Sequence, residues 1–196
     1  CASRHCRSRI LAELTRRGHS VTAIVRHPEK MEPQPNVTVR KGDVHDRAGL
    51  AGLLKGHDAV ISAVRFTDSD PTTLIEAVRD SGVKRYLVVG GAGSLEAAPG
   101  VRLLDTPDFP EAYKAEARGG AVFLDRLLSE KQIDWTYLSP SAVFVPGERT
   151  GKFRLGKDQL LTGEKGSTVS FEDYAAALAD ELEKPANSRQ RFTVGY

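Results

Sequence analysis

The sequence predicts an α/β fold, in which a doubly wound parallel sheet carries helices on both of its faces. Short apolar runs, such as "DAVISAV" at residues 58–64 and "RYLVV" at 85–89, alternate with longer amphipathic segments along the chain. Continuous apolar runs are typical of parallel strands covered on both sides. Strand–helix alternation favours right-handed crossovers within one sheet. The chain has 196 residues, a length that favours a single domain spanning residues 1–196.

Helix-ending and helix-starting residues delimit the elements of the first half. Gly18 and Gly56 each follow an amphipathic segment, and glycine commonly ends a helix. Asp70 is a suitable N-cap, and Pro71 fits the first helical position. The predicted elements are, in order, a helix at 9–19, strands at 20–26 and 36–44, a helix at 46–57, a strand at 58–64 and a helix at 70–85.

The second half continues the alternation. Ser170 followed by Asp173 predicts an N-cap, as a variant of the capping box. Gly119 and Gly120 weaken an otherwise long helix. The predicted elements are, in order, a strand at 85–89 that enters a glycine-rich turn, a helix at 111–132, a strand at 134–140, a helix at 170–184 and a strand at 191–196.

Composition excludes several classes of partner. The net charge is +2 and the basic residues are scattered, so no nucleic-acid footprint is expected. No apolar run is long enough to suggest a membrane span, and no apolar signal core precedes the first helix. Cys1 and Cys6 lack a second pair at metal spacing, so we expect two free thiols, no metal site and a cytoplasmic protein.

Two long irregular segments follow the carboxyl ends of predicted strands. They cover about residues 92–112 and 141–168. Open α/β sheets bind ligands at the carboxyl ends of their strands, and binding residues concentrate on loops. We therefore expect these segments to be substrate loops.

The expected first strand of such a sheet does not precede the first helix. That strand normally lies at the centre, so its omission would leave the strands near Val21–Val25 and Ala59–Ala63 with unpaired edges. Three explanations stay open. A strand precedes Cys1 in the complete protein, the first residues are misassigned, or the chain is truncated and another molecule supplies the strand.

From Ser8 onward the chain resembles the atypical short-chain dehydrogenases/reductases. Within them it is most similar to a small NAD(P)H-binding group that includes NADH-flavin reductases, biliverdin-IXβ (flavin) reductase and NmrA-like proteins. The resemblance implies a Rossmann-like single domain. The segments that carry it are "SRILAELTRRGHSVTAIVRHPEK", "KGDVHD", "HDAVISAV", "VVGGAGSL" and "DWTYLSPSAVFVPGERTG".

The phosphate loop departs from the family pattern. Where the family reads GATGxxG, this chain reads "CASRHCR", so Cys1, Arg4 and Arg7 replace the three glycines. Those glycines allow a tight turn and a close approach to pyrophosphate. Either arginine contacts phosphate electrostatically here, or the stretch is a misreading of the glycine loop. By position, the resemblance implies cofactor contacts at Ser3, Arg4 and His5.

Further cofactor contacts follow from the resemblance. Arg26 ends the predicted strand at 20–26, which corresponds to the second strand of the family fold. At this position an acidic residue would bind the ribose of NAD, and an arginine accommodates the phosphate of NADP. Lys30 is nearby, so NADP(H) is the expected cofactor, with NAD(H) as an alternative. Both could instead be solvated charges. The other implied contacts are Asp43 and Val44 near the adenine, Ala63 and Val64 along the cofactor, Gly90 beside the glycine-rich turn, and Pro140 at the nicotinamide end.

The usual catalytic pair of the family is absent. Tyr-x-x-x-Lys transfers a proton in these reductases, and family spacing puts the pair at Ala117 and Ala121. Ser94 matches the position of a substrate-side serine, and Tyr113 is an aromatic residue near the helix start. These two are the candidate catalytic residues. Tyr113, Phe144 and Phe153 could stack on a flat acceptor or pack in the core.

Three functions remain open. The first is an NAD(P)H-dependent oxidoreductase that transfers hydride to a flavin, a quinone or a similar planar acceptor, which needs little acid catalysis. The second is a non-catalytic NADP-binding sensor, like the NmrA-like regulators. The third is an epimerase- or dehydratase-like enzyme acting on a sugar nucleotide. Either a monomer or a homodimer is expected.

Overall fold

The computed structural model of the chain describes residues 4–196. The helices are α1 (Arg4–Arg16), α2 (Arg47–Leu54), α3 (Pro71–Ser81), α4 (Glu111–Leu128) and α5 (Phe171–Glu183). The strands are β1 (Val21–Val25), β2 (Val37–Lys41), β3 (Ala59–Ser62), β4 (Arg85–Val89), β5 (Glu96–Ala98), β6 (Val101–Arg102), β7 (Asp134–Pro140), β8 (Val143–Val145), β9 (Arg154–Gly156), β10 (Thr168–Ser170) and β11 (Gln190–Gly195).

The main sheet has five strands in the order β3-β4-β7-β11-β9. Its first four strands are mutually parallel, which confirms the predicted α/β class. β9 is antiparallel to β11 at the edge, which the sequence did not predict. β1 and β2 form a separate parallel ladder that is not hydrogen-bonded to the main sheet within residues 4–196.

Helices cover both faces of the sheet. Successive residues of β4 point to opposite faces, so Val88 belongs to one core and Leu87 to the other. The first core holds side chains from α2, α3 and α4, and the second holds side chains from α1 and α5. None of the helices in the described part of the chain combines the length and apolar character needed to cross a bilayer.

The predicted helix caps are confirmed. The Asp70 carboxylate accepts a hydrogen bond from the Thr73 amide at 2.6 Å, directly before α3. The Ser170 hydroxyl accepts one from the Asp173 amide at 3.0 Å, directly before α5. α3 ends at Gly82, whose φ of 80° is favourable for glycine.

Two helices differ from their predicted form. α1 begins at Arg4 and not at residue 9, so Arg4 and Arg7 are helical residues and not members of an extended loop. α4 runs through Gly119 and Gly120 without a break. A Cβ at Gly119 would lie 2.9 Å from the Cβ of Phe66, and one at Gly120 would lie 3.0 Å from the Phe66 ring. These glycines therefore permit close packing of α4 on Phe66.

The two segments predicted to be irregular contain short strands. Residues 92–112 hold β5 and β6, which form an antiparallel pair. Residues 141–168 include β8, which pairs with β10, and β9, which joins the main sheet. The β5–β6 pairing is local, whereas β8 and β9 pair with strands further along the chain.

Candidate functional site

Gly90 and Pro140 lie at the carboxyl edge of the main sheet, at the ends of β4 and β7. The Gly90 amide donates to the Leu138 carbonyl at 2.8 Å. A Cβ at Gly90 would lie 2.3 Å from the Tyr137 ring, so glycine is required by packing within the protein. Pro140 is the last residue of β7 and is paired with Val194 of β11. The cofactor contacts of both residues stay predictions.

Tyr137 anchors the beginning of the glycine-rich turn. Its hydroxyl accepts from the Gly91 amide at 3.1 Å and donates to the Gly120 carbonyl at 3.1 Å. Burial raises the pKa of the Tyr137 phenol well above its usual range, so the hydroxyl stays protonated and able to donate. The turn after β4 is thereby held against α4.

Ser94 lies further along the same turn and is half-buried. The Arg191 guanidinium on β11 donates from Nη1 to both the Ser94 carbonyl (2.9 Å) and the Ser94 Oγ (3.0 Å). The same guanidinium donates to the Asp158 carboxylate from Nε at 2.9 Å and also from Nη2. Arg191 thus joins the two predicted substrate loops.

Tyr113 stands at the start of α4 with 63% of its surface exposed. It lies one turn before Ala117 on the same helical face. A Cβ built at Gly93 would be only 2.7 Å from the Ala117 Cβ, so α4 lies close to the glycine-rich turn at this position. Ala121 is buried. The geometry agrees with the absence of the Tyr-Lys pair from this helix.

The segment after β3 is held by a buried carboxylate. Ala63 and Val64 are half-buried, one against each core. Immediately after them, the Glu116 carboxylate accepts from the amides of Phe66 and Thr67, both at 3.0 Å. The Thr67 hydroxyl adds a third bond to Glu116 at 3.0 Å. Glu116 therefore fixes the segment that directly follows the residues that the resemblance places along the cofactor.

Three basic residues lie at or just after the carboxyl ends of β1 and β2. Arg26 follows β1, Lys30 lies in the next turn, and Lys41 is paired with Val25. All three are exposed, and none forms an ion pair with any residue of 4–196. Uncompensated cations of this kind suit a phosphate group, because phosphate is bound by charge-assisted hydrogen bonds.

Asp43 and Val44 follow the same edge. The Asp43 carboxylate accepts from the His45 amide at 2.9 Å, so it closes a local turn and is otherwise exposed. Val44 is half-buried against the first core. Both residues have a packing or turn-forming role, and their predicted contacts with the adenine stay predictions.

The start of α1 contains the departure from the glycine pattern. Ser3 lies outside the described residues, and of Arg4 only the helical backbone is described. His5 is exposed in the first turn. Cys6 is buried in the second core, and burial raises the pKa of its thiol to about 12, so it is a poor nucleophile.

The segment after β8 is fixed to α1 and α5. Burial opposes ionisation of Glu13, but hydrogen bonds from Arg149, Arg16 and Arg17 outweigh it and hold the pKa of Glu13 well below its usual range. The buried Asp173 carboxylate accepts from the Gly151 amide at 2.8 Å. This part of the second predicted substrate loop is therefore a braced segment.

Phe144 and Phe153 are both half-buried and pack against the second core. Phe144 packs edge-to-face on Phe171, with ring centroids 4.6 Å apart, and it also contacts Tyr174. Phe153 packs against the second core. These contacts favour packing within the protein over stacking on an acceptor for both rings.

A family profile described as NAD(P)H-binding matches residues 2–185. The chain belongs to this NAD(P)H-binding family. The match covers most of the chain, including the carboxyl edge of the sheet and both loops described above. The family lies within the atypical short-chain dehydrogenases/reductases, as the sequence segments predicted.

Individual relatives are similar over almost their whole length. The uncharacterized protein YwnB of Bacillus subtilis is 41% identical, with 98% of this chain and 94% of YwnB aligned. A structure from Bacteroides thetaiotaomicron, described as a proposed epimerase, is 44% identical with a TM-score of 0.93, covering 100% of this chain and 94% of that one. A proposed NADH-flavin reductase from Streptococcus pneumoniae is 38% identical with a TM-score of 0.82, covering 97% and 93%.

Sequence reasoning missed three residues near the site, namely Lys41, Glu116 and Arg191. A signal existed for Glu116, because it is spaced from the buried Gly120 and Phe123 as one face of a helix. The sequence signal for Arg191 was weaker: it is a charged residue in an otherwise largely apolar terminal strand. Lys41 becomes recognisable only once β2 is paired with β1.

Proposed function

We propose that this NAD(P)H-binding protein is an NADPH-dependent reductase that delivers hydride to a planar acceptor such as a flavin or a quinone. The observation that carries the NADP preference is that Arg26, Lys30 and Lys41, at or just after the ends of β1 and β2, are exposed and have no carboxylate partner within the described residues. These cations would hold the phosphate of NADP on the adenosine ribose. The similarity to a proposed NADH-flavin reductase supports the acceptor class.

The proposed hydride transfer to a planar acceptor follows from the absence of a tyrosine–lysine pair on α4. When bound, the nicotinamide cofactor would supply the hydride, and the protein supplies binding and orientation. With alanine at 117 and 121, α4 offers no tyrosine–lysine proton donor. Flavins and quinones suit such a site, because the reduced product can take its proton from water. In this proposal Ser94 and Tyr113 are the residues that contact the acceptor.

Replacing Arg26 by aspartate should shift cofactor preference from NADPH towards NADH by about tenfold or more, because a carboxylate repels the phosphate of NADP and can bind a ribose hydroxyl. Calorimetric titration with NADP⁺ and NAD⁺ measures the ratio of the two affinities. Lys131→Asp is the matched control, since it makes the same charge change at an exposed position before β7. An unchanged ratio in Arg26→Asp would remove Arg26 from the cofactor site.

A turnover assay tests the proposed reductase activity. Oxidation of NADPH is followed by absorbance with FMN as the acceptor and with dichlorophenolindophenol in parallel. We expect steady-state oxidation above the rate without protein. Tight binding of NADP⁺ and NADPH without oxidation on either acceptor would favour the sensor function, for which the missing Tyr-Lys pair is the supporting observation.

We further propose that one more parallel strand, from a segment preceding Cys1, pairs between β1 and β3. The Val21 amide and the Val25 carbonyl face β2, so the backbone of Thr22 and Ile24 is directed to the other side. The residues of β1 are only half-buried. A mass well above 21.3 kDa for the natural protein would support the proposal, and a mass equal to it would contradict it.

A further inference from the structure

Arg191 is the residue that joins the turn after β4 to the loop after β9. In the sheet, Arg191 is in register with Tyr137, which is in register with Val88. Residues paired across parallel strands project from the same face. Tyr137 and Arg191 therefore extend side by side beneath one turn, where Tyr137 holds Gly91 and Arg191 holds Ser94.

The hydrogen bonds to Ser94 have a defined direction. A guanidinium can only donate, so Ser94 Oγ is the acceptor in its contact with Arg191. A hydroxyl that accepts one bond still has its own hydrogen to donate. Within residues 4–196 that hydrogen has no acceptor. The contact leaves the Ser94 O–H group available for a bound molecule and polarised by the adjacent positive charge.

The guanidinium is itself held in place. Its side chain is only 10% exposed, and Asp158 accepts two of its hydrogen bonds. The Asp158 carbonyl also accepts from the Glu96 amide at 2.8 Å, directly after the Ser94 turn. The planar fork of arginine can bridge both partners at once, which the single ammonium of lysine cannot do.

We propose that Arg191 is a positioning residue that directs the Ser94 hydroxyl to donate to the acceptor atom on which negative charge develops during reduction. This inference rests on the proposed reductase function. In the reaction the acceptor gains a hydride, NADPH becomes NADP⁺, and the acceptor then takes a proton from water. The oriented hydroxyl stabilises the charge before that proton arrives. Asp158 holds Arg191 and does not touch the acceptor.

A double-mutant cycle tests the proposal. The proteins are wild type, Arg191→Met, Ser94→Ala and the double variant, assayed for NADPH oxidation with FMN. We expect each single variant to lower kcat by about tenfold, the value of one charge-assisted hydrogen bond. The KM for NADPH should not change. Because both act through the same hydroxyl, the double variant should be no slower than Ser94→Ala. Arg191→Lys should recover part of the rate.

Two further measurements separate positioning from folding. Arg79→Met is the control, because it removes an arginine whose carboxylate partners, Glu76 and Glu130, lie outside both predicted substrate loops. It should leave kcat unchanged. Hydrogen exchange of a peptide covering Ser94 to Glu96 should be faster in Arg191→Met than in wild type without any ligand present.

The outcomes are distinct. If wild type oxidises NADPH but the losses of Arg191→Met and Ser94→Ala multiply in the double variant, the positioning role is wrong. The same holds if Arg191→Met leaves both kcat and hydrogen exchange unchanged. If wild type does not oxidise NADPH with any acceptor, the reductase function itself fails, and the role assigned to Arg191 in that reaction fails with it.

Discussion

Replacing Glu181 by alanine should lower the free energy of unfolding by about 3–5 kcal/mol, because it leaves a buried arginine without its carboxylate. Glu181 is 4% exposed and accepts from Arg85 Nη2 at 2.7 Å. It also accepts from the amides of Ala186 and Asn187, which end the turn after α5. The substitution would thus remove the carboxylate partner of a buried cation and the acceptor of two amides in the turn after α5.

The remaining contacts of Arg85 cannot compensate. Asp134 is 3.5 Å away, and Arg85 Nε is already buried without a hydrogen-bond partner in the described chain. Thermal denaturation should show a midpoint lower by roughly 10 °C for a loss of this size. Chemical denaturation gives the free energy directly.

Glu183→Ala is the matched control, two residues further along the same helix. Its side chain is 34% exposed, and its partners Arg17 and His19 can reach water. Such a pair contributes less than about 1 kcal/mol. Equal losses in Glu181→Ala and Glu183→Ala would show that burial of the Arg85 pair does not govern stability.

The sequence predicted those elements whose signals are local. Asp70 and Ser170 identify helix starts because an N-cap acts within three residues of itself. The start of α1 was placed too late because the glycine-loop pattern was expected to continue as an extended loop. The antiparallel edge strand β9 was missed because its pairing, such as Thr193 with Gly156, depends on a register between distant segments.

For the candidate site, too, local features could be predicted from the sequence and long-range contacts could not. Ser94, Arg26 and Gly90 could be nominated from motifs, because Arg26 and Gly90 directly follow a strand and Ser94 lies in the glycine-rich turn after one. The partner of Ser94 could not, since Arg191 lies 97 residues away and reaches it only through the sheet. The contact between Phe144 and Phe171 could not be predicted either, because it joins two different elements. Motifs identify which residues face an edge of the sheet, whereas the contacts that orient them are long-range.

Replacing Glu116 by alanine should weaken both the fold and cofactor binding. The buried Phe66 amide and the Thr67 amide would lose their acceptor, and an unpaired buried donor costs about 1–3 kcal/mol. We expect a loss of about 2–4 kcal/mol in the free energy of unfolding. Because Ala63 and Val64 directly precede the released segment, the dissociation constant for NADP⁺ should rise about tenfold.

Two variants distinguish this effect from a general loss of stability. Glu116→Gln retains one carbonyl oxygen but offers an amide group to the other donor, so its losses should be intermediate. Glu111→Ala removes an exposed carboxylate of the same helix, which is paired with Lys114, and should alter neither quantity. The dissociation constants are measured by calorimetry at a temperature where all proteins are folded. If Glu116→Ala is less stable but binds NADP⁺ as wild type does, the segment after β3 does not contact the cofactor. The hydrogen bonds of Glu116 would then serve only to hold α4 against the segment of Phe66 and Thr67.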